Sequence, residues 1–174
     1  MKRGIWILAG LVILAVGIYV GSVVFAPRVA ERLRPAPSGV APEDEAFFEC
    51  WEDRVAGARD NVVAGLEALS WAAGEGDFVG LGARMQMMED DLQAVKAALL
   101  ACPTPKHPLL VSSRQKALRG IDLEILSCEY LEKGISALDY DLVYKASDFV
   151  LESHALFQEA TRDIEKYQVE VLGP

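Results

Sequence analysis

"FFECWEDRVAGARDNVVAGLEALSWAA", residues 47–73, repeats its apolar residues every seven positions. Phe48, Val55, Val62 and Leu69 make one series. Trp51, Ala58, Gly65 and Ala72 make a second, three residues further on. Two interleaved series of this kind lay a single apolar stripe along a helix, in the manner of a coiled coil. The stretch therefore predicts one long helix with one face turned to helical neighbours. Gly57 and Gly65 each cost such a helix about 1 kcal/mol against alanine. Close approach of a neighbouring helix at Gly65 would offset that cost.

Working outward, the start and stop of this helix are legible. Pro42 suits the first helical position, and Glu43, Asp44 and Glu45 sit well beside the positive end of a helix. "GEGD", residues 74–77, reads as a turn in which Asp77 caps the next helix. In that helix Leu81, Met88, Val95 and Cys102 repeat every seven, alongside Phe78, Met85, Leu92 and Leu99. "CPTPKHP", residues 102–108, stops it with three prolines. A third helix starts at Pro108 with the apolar face Leu118, Ile121, Ile125, Cys128, Ile135 and Leu138. After a tight turn, Asp139 or Asp141 caps a fourth. Its broad apolar face holds Leu142, Ala146, Phe149, Val150, Leu156, Phe157, Ala160, Ile164 and Tyr167.

The expected fold class is all-α: helices at about 42–73, 78–101, 108–138 and 140–168, within one acidic domain, 42–174. Short connections force neighbouring helices to be antiparallel, which predicts an up-down-up-down four-helix bundle. No segment alternates apolar and polar residues for long enough to suggest a strand.

The amino-terminal end has a different composition. After the basic tail 1–4, residues 5–26 carry no charge. Twenty-two residues make about 33 Å of helix, enough to cross a hydrocarbon core of roughly 30 Å. The run is long for a secretory signal, and Pro27 would follow the best cleavage site, Val24-Phe25-Ala26. The reading is a retained signal anchor, a single transmembrane helix embedded in membrane lipid. Gly17 and Gly21 give it a spacing that lets two spans pack, and hence a route to a homodimer. Residues 27–41 form a juxtamembrane linker, basic at first and then proline-rich, that holds the domain near the membrane.

Basic residues flank the span on both sides: Lys2 and Arg3 before it, Arg28, Arg32 and Arg34 after it. By count the far side has the larger share, which argues for a cytoplasmic domain. Against this, a basic start followed directly by an apolar run is the export pattern, and long domains translocate despite flanking charge. The expected orientation puts the domain outside the cytoplasm, at the cell membrane.

Charge narrows the partners. The chain has 26 acids and 17 bases, and the first 34 residues hold one acid and five of the bases. The rest carries 25 acids against 12 bases, a net charge of −13. Such a surface repels nucleic acid, which is held through clustered Lys and Arg. It suits solubility, or a cationic partner.

No motif carries chemistry. "GEGDFVGLG" lacks nucleotide-loop spacing, no nucleophile elbow occurs, and no cysteine is paired with a base. His154 and His107 have Leu151 and Thr104 where a di-metal bundle places glutamate. Met85 and Met88 fit the heptad as core filler. No catalytic residue, metal or cofactor is expected, and the chain is read as a non-enzyme. Among three cysteines, the topology brings Cys50 and Cys102 to one end and leaves Cys128 roughly 30 Å away as a small buried hydrophobe. Cys50–Cys102 is thus the pair a disulfide would join, although Cys50 lies off the main apolar stripe. Glu132 is the polar interruption on the inner face of the third helix: it either turns outward or, on a sharper reading, makes a buried ion pair with an arginine such as Arg84.

The order of a span followed by helices is similar to that of bacterial anchored-bundle families such as LemA. The tyrosine-asparagine motif that follows the span in that family is missing here, so the likeness is one of architecture. The expected role is a membrane-anchored interaction or scaffold module of the cell envelope with a protein partner. The alternative is an extracytoplasmic ligand-binding or sensory bundle that signals through a partner.

Overall fold

The computed structural model describes residues 40–75 and 77–172. It is all-α, with four helical rods, and no strand occurs among the described residues. The first rod is continuous but not uniform. Helix α1, Pro42–Cys50, passes through a π-helical turn, Trp51–Val55, into α2, Ala56–Glu75. Helix α3, Phe78–Ala101, is the second rod, α4, Pro108–Ala137, the third, and α5, Tyr140–Leu172, the fourth.

Each boundary has a local cause. Pro42 occupies the first turn of α1. Asp77 caps α3, its carboxylate accepting from Gly80 N at 2.9 Å. His107 caps α4: its Nδ1 accepts from Leu109 N at 3.3 Å, with Pro108 next in the helix. At the other end of α4, Leu138 turns the chain with φ 54° while its N–H and that of Asp139 bond back to Ile135 O and Gly134 O. Asp139 then caps α5, accepting from Asp141 N at 3.0 Å and Leu142 N at 3.4 Å. The carboxylate of Asp139 thus satisfies donors that the first turn of a helix leaves free.

Successive rods run antiparallel. Residues 50 and 102, and then 71 and 84, meet between the first and second. Lys96 meets Asp122 between the second and third, at 2.6 Å. His107 meets Tyr167 at one end of α4 and α5, and Tyr130 meets Phe149 further along. Helix α4 is central. Ile121, Ile125 and Cys128 join the apolar core made with α2 and α3. Its other buried stripe, through Gly120, Glu124 and Gly134, is turned to α5. A Cβ on Gly120 would lie 3.0 Å from the Phe157 ring, and one on Gly134 would lie 2.8 Å from the Val143 side chain. Small residues there let the two backbones approach closely.

The π turn shifts the heptad. One extra residue per turn displaces the register before it by one position. Beyond the turn, Val55, Val62, Leu69 and Ala72 are buried as the seven-residue pattern predicts. Ahead of it, Asp44 and Phe47 are buried, whereas Phe48, Cys50 and Trp51 are half-buried, with Cys50 and Trp51 packed against the core. Three further expectations are corrected. A Cβ on Gly65 would lie 3.7 Å from Asp91 Oδ2, an ordinary contact, so no close approach requires that glycine. Val143 rather than Leu142 is the buried residue early in α5. The first and fourth rods also run further than expected, to Glu75 and Leu172, and the third helix stops at Ala137.

Among the described residues no helix is long and apolar enough to cross a membrane. The expected span, 5–26, lies outside the described residues, together with Lys2, Arg3, Gly17, Gly21, Arg28, Arg32 and Arg34.

Candidate functional site

Polar groups are buried in two places. The first is the end at which the chain enters, at Val40. Asp44 is 3% exposed, and its Oδ1 accepts from Lys106 N at 2.7 Å and His107 N at 3.0 Å. A charge is tolerated inside a protein when such donors surround it. The carboxylate thereby ties the start of α1 to the start of α4. The His107 ring stands edge-on to Tyr167, centroids 4.9 Å apart, and its Nε2 lies 3.9 Å from Glu170. Tyr167 is fully buried and its hydroxyl has no hydrogen-bond partner among the described residues. Burial, and then the charge of Asp44, push its phenol up to about 12.

Cys50 and Cys102 lie at this same end and are joined as a disulfide, Cα atoms 5.5 Å apart. Cys50, off the main stripe and just ahead of the π turn, is half-buried against the core. Cys102 follows the last turn of α3, whose free carbonyls are held from across the interface. Arg114 Nη2 donates to Leu99 O and Leu100 O at 3.2 Å each, and to Cys102 O at 3.5 Å. A cation on the last carbonyls also complements the helix dipole.

The second place is the α4–α5 interface. Near the entry end, Lys116 and Asp163 pair at 2.7 Å, and Ser112 donates to the same Asp163 oxygen at 2.8 Å. The hydrogen bond to Asp163 pushes Lys116 up. Burial alone would raise Asp163, but Lys116 and Ser112 outweigh it and hold its carboxyl below the ordinary range. Two helical turns further along α4 there is no such compensation. Glu124 is 3% exposed, and its Oε1 has no hydrogen-bond partner among the described residues. Ser153, fully buried on α5, faces it, and its Oγ is unpartnered too. Burial pushes the Glu124 carboxyl up to about 7, and Ser153 pulls it partly back. Cys128, one turn on, is a free buried thiol pushed up to about 12 by burial and then by Glu124.

Sequence reasoning placed the polar interruption of the third helix at Glu132. That residue is exposed, in keeping with the outward reading, and Arg84 stacks over the Trp71 ring at 5.8 Å rather than pairing with it. The buried carboxyl is Glu124. A signal for it exists: Ser113, Ala117, Gly120, Glu124, Ser127 and Gly134 lie on one stripe of small residues, all buried. A helix with an apolar face and a small-residue face is packed on both, so a glutamate within the second stripe must be enclosed. Arg114 as a cap and Asp44 as a tie give no comparable signal, because both act across long sequence separations.

No nucleophile sits beside a base in these arrangements. The Cys128 thiol is held protonated, and His154 Nε2 lies 2.8 Å from the Gln158 amide with its Nδ1 buried and unpartnered. Met85 and Met88 lie within the apolar core. Among the described residues no group of three or more His, Cys, Asp or Glu is placed to hold a metal ion. One arrangement fastens the entry end; the other encloses the Glu124 carboxyl within a helical interface. Set against protein-family models, curated proteins and solved structures, the chain matches none of them.

Proposed function

We propose that this chain is a membrane-anchored, non-enzymatic helical-bundle protein of the cell envelope, acting as an interaction or scaffold module with its acidic bundle outside the cytoplasm. The observation that carries this reading is the Cys50–Cys102 disulfide at the entry end. Disulfides form and persist in oxidising compartments and are rare in a reducing cytoplasm. Support for the anchor comes from the uncharged run 5–26, and Arg28, Arg32 and Arg34 are suited to headgroup phosphates beside it. The fastened entry end fits a module that transmits position from a membrane to a partner. Gly17 and Gly21 offer a route to pairing of two such chains through their spans.

The test is labelling of the three cysteines in intact cells with a membrane-impermeant maleimide, with and without external reductant, denaturing after quenching. The expected result is two thiols that label only after external reduction and a domain that protease removes without lysis. A domain protected from both reagents until the cells are lysed would put it in the cytoplasm and end this reading.

A sensory role for the same bundle has one observation in its favour: Glu124 Oε1 and Ser153 Oγ are buried polar atoms with no hydrogen-bond partner among the described residues, unlike the satisfied pair at Lys116 and Asp163. Thermal stabilisation by a small molecule would support it, and no stabilisation across a broad panel would count against it.

A further inference from the structure

We infer that Glu124 and Ser153 form a proton-operated latch between α4 and α5: neutral, the carboxyl is held inside the interface; ionised, it loosens α5. This rests on the described helices alone and on neither the anchor nor the compartment. When the latch opens, the carboxyl O–H breaks, its proton passes to water, and the carboxylate left behind takes up water in place of a closed interface.

The geometry supports this in three ways. Glu124 is buried at a level where the helices are close: one turn before it, a methyl group on Gly120 would lie 3.0 Å from the Phe157 ring, tighter than an ordinary contact. The room for water to solvate a charge there is correspondingly small, and a buried carboxylate without a counter-charge is strongly disfavoured. Second, the polar group acting on it from α5, Ser153, is a buried hydroxyl that can accept from the neutral acid or donate to the charged one. Third, among the described residues no cation acts on it. From α3, Lys96 is taken up by Asp122 at 2.6 Å, and Glu89 is itself raised, by burial first and then by the acids Glu129, Asp90 and Glu132. Arg59, at the same level of the first rod, is bonded to Asp60 at 2.9 Å. On α5, Arg119 of α4 holds Glu152 at the surface at 2.7 Å, His154 faces Gln158, and Lys116 is committed to Asp163 and Glu159. On α4 itself, Cys128 is neutral and Glu129 pairs with Lys133 at 3.3 Å. An acid so enclosed titrates near neutrality rather than near its ordinary value, as the shift of Glu124 to about 7 expresses.

The latch is tested by hydrogen exchange read by mass spectrometry on the full chain in detergent micelles, at about pH 5.5 and about pH 8, corrected for the intrinsic rate. For a local opening that exposes Glu124, exchange along residues 140–160 should rise about 20-fold between the two pH values, and Glu124→Gln should abolish the rise. Equal protection at both pH values, or the same rise in Glu124→Gln, would overturn the inference. His154→Gln should leave the rise in place; its loss there would move the effect to the histidine and overturn the latch as well. Should Glu124→Gln fail to fold, infrared spectroscopy needs no change at that site. In a Glu89→Gln background, a protonated-carboxyl band that survives at about pH 6.5, where ordinary carboxyls are almost fully ionised, and disappears by about pH 8 supports the latch, and no band at about pH 6.5 overturns it.

Discussion

At the scale of single residues, Glu124 and Asp163 are opposite solutions to burying a carboxylate in one interface. Asp163 has a lysine and a serine; Glu124 has a serine alone. Their contributions to stability have opposite signs. Asp163 is lowered on folding, so it stabilises the fold above its ordinary range, and that contribution fades as pH falls. Glu124 is raised from 4.5 to about 7, so the folded protein binds the extra proton between those values. Stability from Glu124 is fully present below about pH 4.5 and is lost as pH rises through about 7. The loss amounts to roughly 3 kcal/mol at about pH 8, by the conversion between pKa and free energy. Urea denaturation of Glu124→Gln should therefore show a curve of stability against pH that is flatter than wild type by about that amount over this range. Coincident curves would show that the carboxyl is solvated in the folded state. None of this was legible from the type of residue, because 26 acidic residues make any one of them unremarkable in sequence. What distinguishes Glu124 is its place among Gly120, Ser127 and Gly134, a pattern that becomes informative only once α4 is known to be covered on both sides.

At the scale of elements, helix limits were legible wherever a residue with restricted backbone chemistry stood at them. Pro42, Asp77, the prolines of 102–108 and Asp139 all mark real boundaries. The π turn was not legible, since Phe48, Val55, Val62 and Leu69 keep an unbroken period of seven through it. The tie from Asp44 and the join from Cys50 to Cys102 both lie ahead of that turn. Leu138 shows a further local cost. It holds φ 54° and is 75% exposed, so its side chain gains little from packing while its backbone sits where glycine is favoured. Leu138→Gly should raise stability by about 1 kcal/mol in chemical denaturation. Unchanged or lower stability would mean that the leucine makes contacts which offset its backbone strain.

For the molecule as a whole, the four rods are fastened most firmly where the chain enters. The disulfide closes a sequence separation of 52 residues, and Asp44, His107 and Tyr167 knit α1, α4 and α5 together beside it. By loop entropy, a link over that separation contributes on the order of 4 kcal/mol. The double variant Cys50→Ser with Cys102→Ser should lose about that much in denaturation while keeping a helical circular dichroism spectrum. A loss well under 1 kcal/mol would indicate an unfolded chain that is already compact. The same link sets how the molecule answers a mechanical load. Tension applied through Val40 meets a covalent bond only eight residues into α1, so the chain that can peel away ahead of it is limited to 42–49. Beyond Cys50 the force divides between the first rod and the end of α3. A pull from the amino-terminal side therefore reaches two helices at once, and the bundle yields by cooperative rupture rather than by unzipping one rod from its end.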